Sequence, residues 1–339
     1  MSSLPRRPGP RVALALGSGG ARGYAHLGVI RELRARGCEV VTVAGTSMGA
    51  VVGGLAAAGR EEDFAAWASG LRQRDVLRLM DFKLSAPGAV AADRLLGAIG
   101  ELFGDTDIAD LPVPFTAVAT DLGSRREVWF QRGPLLPAVR ASIAIPGFFT
   151  PVMINGRLLV DGGLLNPVPI DPTTAVPSDL TVAVSLLGRR THARQAPAQE
   201  SSAPQRREEW RDRLRRTVAS IAGREGADDP KDADEPADHK APASAEAVEV
   251  VEPVEPVEPL LGIDPLPKDL RLTDVTGQAF EAMQGLVHRY RQAAFPADVT
   301  IDVPVDACRT LDFHRAAEMI DLGQELAARA LDAAGLPVT

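Results

Sequence analysis

Short apolar runs alternate with helical patterns along most of this chain, and this alternation is the strongest constraint on its fold. The run Arg11–Leu16 is apolar and leads into glycines, which favours a buried parallel strand. Residues 22–36 follow with apolar side chains at helical spacing, and the same order of patterns then repeats. Such alternation is typical of an α/β fold in which a mostly parallel central sheet carries helices on both faces.

The same patterns predict the elements further along the chain. Strands are predicted over 39–44, 115–121, 126–131, 158–160, 180–186 and 299–303. Helices are predicted over 48–58, 64–79, 92–103, 135–142, 269–291 and 313–334. In the helix 269–291 the apolar positions that carry the pattern are Leu272, Val275, Ala279, Met283, Leu286 and Tyr290.

A glycine-rich loop, Gly17-Ser18-Gly19-Gly20-Ala21-Arg22-Gly23, separates the first strand from the first helix. Backbone amides that converge at a helix N-terminus favour a negatively charged group. One interpretation is a dinucleotide phosphate loop. It fits badly, because the third glycine of that motif falls at Arg22, and the second strand ends in Gly45 where a ribose-binding acid is expected. The other interpretations are an oxyanion hole for an acyl intermediate and a tight turn without a ligand.

The second strand leads into Gly45-Thr46-Ser47-Met48-Gly49, which has the G-x-S-x-G pattern of a nucleophile elbow. The pattern by itself is weak evidence. Here it falls between an apolar strand and a helix of small residues, which is the context that the elbow requires. Ser47 is therefore the candidate nucleophile, and an ordinary glycine-rich turn is the alternative.

The partner of Ser47 is less obvious, because no histidine occupies a loop position suited to a general base. Asp161 follows a predicted strand directly and precedes Gly162 and Gly163. An aspartate before two glycines is often only a turn residue, so this position alone does not assign a base. The histidines lie in or beside a charged segment or within helical patterns: His26, His192, His239, His288 and His314.

Taken together, these residues resemble the patatin-like phospholipase family, in its bacterial branch related to neuropathy target esterase. The resemblance covers about 11–190 and, more weakly, 268–335. The stretches that carry it follow one another in the order of the family: Gly17–Gly23, Gly45–Gly49, Ala119–Leu122, Arg140–Phe149 and Asp161–Pro169.

The resemblance implies a three-layer patatin-like fold and a Ser-Asp dyad, with Ser47 as the nucleophile and Asp161 as the proton acceptor. It also implies an oxyanion hole built by the amides around Gly19, Gly20 and Ala21, with Arg22 nearby. The remaining motif positions are glycines that shape the loops: Gly17, Gly23, Gly45, Gly49, Gly162 and Gly163.

The expected function is that of a serine acyl hydrolase of the phospholipase, lysophospholipase or esterase type, acting on fatty acyl esters. An aspartate has an ordinary pKa near 3.9, so it becomes a useful base at pH 7 only if an apolar site raises that pKa. No cofactor is expected, and no ligand spacing suggests a metal. The alternative is a non-catalytic regulatory or scaffold protein on the same fold.

An acidic segment interrupts this pattern. Between Glu225 and Glu258 the chain has 12 acidic residues and two lysines, and residues 251–259 repeat Val-Glu-Pro three times. Recurring proline blocks helix formation, and high charge with few aromatic residues favours disorder. The predicted organisation is a disordered N-terminus over 1–10, a catalytic core over 11–190, an acidic linker or insertion over 191–265 and C-terminal elements over 266–339 that complete the core.

Within this linker, residues 206–224 form an island with a different pattern. Trp210, Leu214, Val218 and Ile221 recur at helical spacing, and seven arginines stand against three acidic residues. A basic amphipathic helix with a tryptophan is typical of interfacial membrane binding, so a peripheral membrane contact is one interpretation. The other is a helix that packs its apolar face on the domain.

Charge and cysteine content exclude several classes of protein. The net charge is -8, which argues against nucleic-acid binding. Two cysteines cannot form a disulfide framework and favour a cytoplasmic setting. The chain has no uninterrupted apolar run of about 18 residues and no signal-peptide layout at its start. The partner that the family resemblance implies is a lipid or fatty acyl ester, and the oligomeric state is left open.

Overall fold

The computed structural model describes residues 9–79, 88–90, 93–190, 266 and 272–336. The strands in this part of the chain are β1 (Arg11–Leu16), β2 (Glu39–Thr46), β3 (Gly88–Val90), β4 (Phe115–Asp121), β5 (Arg126–Phe130), β6 (Gly147–Phe149), β7 (Val152–Ile154), β8 (Arg157–Asp161), β9 (Leu180–Gly188) and β10 (Val299–Pro304). The helices are α1 (Ala25–Ala35), α2 (Met48–Ala57), α3 (Glu61–Ser69), α4 (Gln73–Leu79), α5 (Asp93–Phe103), α6 (Leu135–Ser142), α7 (Leu272–Ala294) and α8 (Ala316–Ala333).

The central sheet of the described residues has eight strands. Seven follow the order β10-β9-β1-β2-β4-β8-β7, and β5 pairs with β4 outside this path. The strands β10, β9, β1, β2 and β4 run parallel to their neighbours, whereas β4 pairs antiparallel with both β5 and β8. A short parallel pair, β3 with β6, lies apart from this sheet. The predicted α/β fold with a mostly parallel core is confirmed.

The core forms because the parallel strands are apolar over nearly their whole length. In β1 the five residues after Arg11 are buried, and all seven residues of β4 are buried. Helices α1, α2 and α8 contribute buried aliphatic side chains to the same cluster. The carboxyl ends of adjacent parallel strands meet at one edge of such a sheet, which is where ligands bind in open α/β folds.

The C-terminal elements belong to the same compact unit as the N-terminal ones. Strand β10 pairs with β9 in parallel, and α8 packs along α1. The chain divides into a unit formed by 1–193 with 269–339 and a second unit over 194–268. The acidic linker and the predicted helix over 206–224 lie outside the described residues, and the exact domain boundaries stay a prediction.

The predicted single helix over 64–79 is wrong in one respect, since α3 ends at Ser69 and α4 begins at Gln73. Gly70 lies at the break, where its lack of a side chain weakens helical continuity. The short strands β3, β6 and β7 were not predicted, because a segment of three residues is too short to show a periodic pattern. None of the helices within the described residues is long and apolar enough to span a membrane.

Candidate active site

Three loops that follow strand ends bring the predicted site residues together. The glycine-rich loop follows β1, Ser47 follows β2, and Asp161 is the last residue of β8. Strand β1 pairs with β2, β2 pairs with β4, and Asp161 itself is paired with Ala119 of β4. The motifs that the sequence places more than 100 residues apart are therefore neighbours at one edge of the sheet.

Ser47 occupies a strained turn between β2 and α2. Its φ is 57° and its ψ is -122°, a backbone conformation that costs a non-glycine residue free energy and marks functional turns. The turn is possible because Gly49 has no side chain, as a Cβ there would overlap the Leu16 carbonyl of β1. Ser47 is 3% exposed. This geometry is that of the nucleophile elbow that the sequence predicts.

Ser142 anchors the elbow, and the sequence analysis assigned it no role. Its hydroxyl accepts a hydrogen bond from the Ser47 amide at 2.9 Å and donates one to the Val118 carbonyl of β4 at 2.6 Å. The side chain is fully buried. The signal was present in the sequence only as the stretch Arg140–Phe149, which contributed to the family resemblance without pointing to this contact.

The Asp161 carboxylate is buried beside Ser47. Oδ1 accepts a hydrogen bond from the Gly163 amide at 2.7 Å. The Ser47 side chain also interacts with the carboxylate, yet Oδ2 has no partner with standard hydrogen-bond geometry, so this contact is longer or less aligned than an ordinary hydrogen bond. Burial raises the pKa of Asp161 to about 7, while the contacts with Ser47 and the Gly163 amide lower it. A carboxylate with such a pKa can accept a proton near neutral pH.

The backbone amides of the glycine-rich loop differ in their hydrogen bonding, and Gly20 lines the same pocket as Ser47. The amides of Gly17, Ser18 and Ala21 donate to carbonyls at 2.8–2.9 Å, whereas those of Gly19 and Gly20 have no acceptor among the described residues. The expectation that Ala21 contributes an oxyanion donor is not met, because its amide is bonded to the Thr310 carbonyl. That contact comes from the loop before α8, which the local sequence around residue 21 cannot reveal.

Two buried side chains, His26 and Arg22, fix the position of the glycine-rich loop. His26 donates from Nε2 to the Gly17 carbonyl at 2.8 Å, and burial lowers the pKa of this imidazole to about 4, so it is neutral at pH 7. The buried Arg22 guanidinium donates to the carbonyls of Val305 and Cys308 and forms an ion pair with Glu281 at 2.6 Å. Arg22 thus anchors the loop to the C-terminal elements and does not line the pocket at Ser47.

Helix α7, which follows the linker, also reaches the site through Gln284. Its Nε2 donates to the Ser18 hydroxyl at 3.0 Å. Gln284 Nε2, Ser18 Oγ and Asp161 Oδ1 all lie within 3 Å of the point where a Cβ on Gly163 would be. Gln284 therefore joins the glycine-rich loop to the loop that carries Asp161. The sequence analysis missed this residue, because a glutamine inside a helical pattern carries no signal of its own.

An apolar pocket opens beside Ser47. It encloses about 510 Å³ of empty space, part of it open to solvent, and Gly20 and Ser47 form part of its wall. Tyr24, Phe64 and Phe313 make ring contacts there, with centroids 5.8 Å and 6.2 Å apart. Apolar side chains form most of the remaining lining, among them Trp67, Leu95, Ile99, Ile143 and Phe149. Such a lining suits a hydrocarbon chain.

Comparison with known proteins identifies the family of this chain. Residues 14–174 match the family described as Patatin-like phospholipase. An uncharacterized NTE family protein of Mycobacterium tuberculosis is 46% identical over 336 residues, which cover 96% of this chain and 92% of that protein. This chain belongs to the patatin-like NTE family.

Two other proteins are less similar to this chain. Patatin-like phospholipase domain-containing protein 7 of the mouse is 31% identical over 188 residues, which cover 53% of this chain and 14% of the mouse protein. The crystal structure of VipD from Legionella pneumophila aligns with a TM-score of 0.49 and 12% identity, covering 96% of this chain and 67% of VipD. Patatin-like phospholipases are generally lipid acyl hydrolases, and this is the activity that membership of the family implies.

Proposed function

We propose that this member of the patatin-like NTE family is a serine acyl hydrolase that cleaves fatty acyl esters through Ser47 and Asp161. The observation that carries the proposal is the position of Ser47 on a strained elbow beside a buried carboxylate, at the wall of an apolar pocket. A serine hydroxyl is a weak nucleophile until a neighbouring base accepts its proton. Asp161 with a pKa of about 7 supports that role.

The reaction takes two steps. Ser47 Oγ attacks the ester carbonyl while Asp161 accepts the hydroxyl proton, and the free amides of Gly19 and Gly20 donate to the oxyanion. Asp161 then gives the proton to the leaving alcohol as the acyl-enzyme forms. In the second step Asp161 accepts a proton from water, which attacks the acyl-enzyme, and returns it to Ser47 Oγ as the fatty acid leaves.

The pocket supports fatty acyl esters as the substrate class. Among the described residues that line it, none is charged and most are apolar, which suits an acyl chain. The family description also supports lipid esters. A peripheral contact with a lipid surface and a cytoplasmic setting complete the proposal, and the free, buried Cys38 and Cys308 are compatible with a reducing compartment.

A fluorophosphonate probe tests the proposed nucleophile directly. Such a probe reacts with an activated serine, so the wild-type protein is expected to form a covalent adduct on Ser47 that peptide mass spectrometry locates. Ser47→Ala is expected to form no adduct and to release no fatty acid from phospholipid, lysophospholipid or simple esters. A wild-type protein that is folded yet neither labelled nor active on any ester contradicts the proposal and favours the non-catalytic alternative.

The dependence of activity on pH tests the proposed base. Asp161 acts only as the carboxylate, so kcat/KM is expected to be constant at high pH and to fall about tenfold per pH unit below its pKa. Since burial raises that pKa to about 7, the bend in the profile is expected near pH 7. The measurement is kcat/KM on a soluble ester over about four pH units centred on the bend.

The variant Gln284→Glu tests whether the bend in the pH profile of kcat/KM reflects the ionisation of Asp161. The new carboxylate lies beside Gly163, close to Asp161 Oδ1, and a nearby like charge raises the pKa of a carboxyl group. The bend is therefore expected to move to higher pH. Gln292→Glu is the matched control, because Gln292 lies on the same helix and contacts Thr300 of β10 instead. Equal profiles for the two variants would assign the bend to another group.

A further inference from the structure

Helix α7 presents an apolar face to solvent. Val275, Met283, Leu286 and Tyr290 are 47%, 53%, 47% and 73% exposed, and they recur at helical spacing. These are positions of the stripe that predicts the helix from sequence. An amphipathic helix of a globular domain ordinarily buries such a stripe, so its exposure requires a reason.

The opposite face of α7 is polar, and it is the face that packs on the domain. Glu281 binds Arg22, Gln284 binds Ser18, and Arg291 forms ion pairs with Glu127 and Asp171 at 2.6 and 2.7 Å. His288 is also buried on this side. Helix α7 thus buries its polar face and exposes its apolar face, which is the reverse of an ordinary amphipathic helix. Its ion pairs and hydrogen bonds fix its orientation, and that orientation leaves the apolar stripe outside.

The inward face of α7 contacts residues of the site. Thr310 lines the apolar pocket, and its hydroxyl donates to the Glu281 carboxylate at 3.3 Å. Gln284, one turn further along α7, contacts Ser18 of the glycine-rich loop. A surface that binds the outward face of α7 is therefore separated from these residues by the width of one helix, about 10 Å.

The charge on this face also restricts its partner. Among the exposed residues of α7 whose side chains are described, 275–294, Arg289 is the only charged one. The chain as a whole has a net charge of -8, yet over 275–294 this face carries a single positive charge and no exposed carboxylate. Apolar and aromatic side chains with a cationic group are the composition that binds lipid headgroups and the acyl boundary, and anionic lipid strengthens such binding.

We infer that the outward face of α7 is a lipid-docking surface that holds the protein on an aggregated substrate with the pocket at the interface. The inference rests on the proposed function, because only a lipid hydrolase has its substrate in such a surface. It differs from the interpretation of 206–224 as the membrane contact, since it assigns lipid binding to α7. This helix also contacts the glycine-rich loop through Gln284 and Glu281.

Vesicle co-sedimentation of the full chain tests the surface. Vesicles of phosphatidylcholine alone are compared with vesicles that also contain phosphatidylglycerol, and the wild-type protein is expected to bind the anionic vesicles more tightly. Leu286→Gln is expected to weaken binding by about fivefold, the effect of losing part of one buried leucine side chain. A triple variant with Met283→Gln, Leu286→Gln and Tyr290→Gln is expected to lose more than about tenfold.

Leu77→Gln is the matched control, because Leu77 on α4 is 56% exposed and lies outside this face. It is expected to bind like the wild type. The triple variant is expected to keep its rate on a water-soluble short-chain ester, since its changes lie on the outside of α7, and to lose its rate on vesicle lipid. A protein that binds vesicles but cleaves no ester would refute the proposed function and leave this surface standing.

Two results would overturn the docking surface. One is a triple variant that binds vesicles as the wild type does. The other is a wild-type protein that does not bind vesicles at all, which means that a second copy or another segment of this chain covers the face. Sedimentation velocity separates these two explanations, because a covering second copy makes the wild type a dimer and the triple variant a monomer.

Discussion

Asp161→Asn is expected to lower kcat/KM by about a hundredfold or more, close to the loss caused by Ser47→Ala, because a general base contributes on that scale. Asparagine keeps the size of the side chain and can still accept the hydrogen bond from the Gly163 amide, but it cannot accept the Ser47 proton. The measurement is steady-state hydrolysis of a soluble ester by the two variants and the wild type at pH 8, about one unit above the pKa of Asp161.

Stability separates this chemical effect from misfolding. The pKa of Asp161 is about 7 in the folded protein and ordinarily 3.8, so the folded state binds more protons between these values and its stability falls as pH rises through them. Above pH 7 the buried charge is a net cost, which asparagine removes. Asp161→Asn is therefore expected to unfold at the same temperature as the wild type or higher at pH 8, and at no higher temperature near pH 4.

The competing assignment is a histidine base. His26 lies nearest the glycine-rich loop, but its Nε2 is bonded to the Gly17 carbonyl and burial lowers its pKa to about 4. Retention of most esterase activity in Asp161→Asn, together with a folded but inactive histidine variant, would contradict the Ser-Asp dyad.

Gly20→Ala is expected to reduce kcat by about a hundredfold or more, the scale on which one oxyanion donor contributes to catalysis. Gly20 has a φ of 59°, and a Cβ there would overlap the carbonyl oxygen of Thr310 and lie 2.6 Å from its Cγ2. The loop has to shift, which moves the amides of Gly19 and Gly20. Gly20→Val, with a β-branched side chain, is expected to abolish turnover.

Gly59→Ala is the control for backbone strain. Gly59 has a φ of 70°, but no atom lies within 4 Å of the position of its Cβ. The variant pays the cost of a left-handed alanine without a steric clash, so it is expected to lose some stability and keep its kcat. A normal kcat in Gly20→Ala, with thermal unfolding similar to that of Gly59→Ala, would show that the loop is a turn without a role in catalysis.

Much of the site could be predicted because local patterns specify it. The apolar strand before Ser47 and the small residues after it fix a strand, a sharp turn and a helix, and the structure places them at 39–46, 47 and 48–57. Likewise, the strand predicted over 158–160 is present and ends one residue later, at Asp161. In both cases the information lies within about ten residues, so periodicity and turn chemistry suffice.

Other features depend on contacts between distant parts of the chain. The bond from the Ala21 amide to Thr310, the anchoring of Ser47 by Ser142 and the contact of Gln284 with Ser18 join residues about 95 to 290 positions apart. The pKa of Asp161 is of this kind too, because burial by the whole fold raises it. No local pattern encodes such pairs.

Helix α7 shows most clearly what the sequence pattern determines and what the tertiary structure determines. The sequence by itself determined that residues near 269–291 form a helix, because its apolar residues recur at helical spacing. Only the tertiary structure decided which face is buried. In the folded protein the polar side of α7 finds partners in Arg22, Ser18, Glu127 and Asp171. Losing these ion pairs and hydrogen bonds would cost more folding free energy than leaving a leucine side chain exposed to water. Periodicity reports that two faces differ, whereas the partners available in the fold determine which one turns inward.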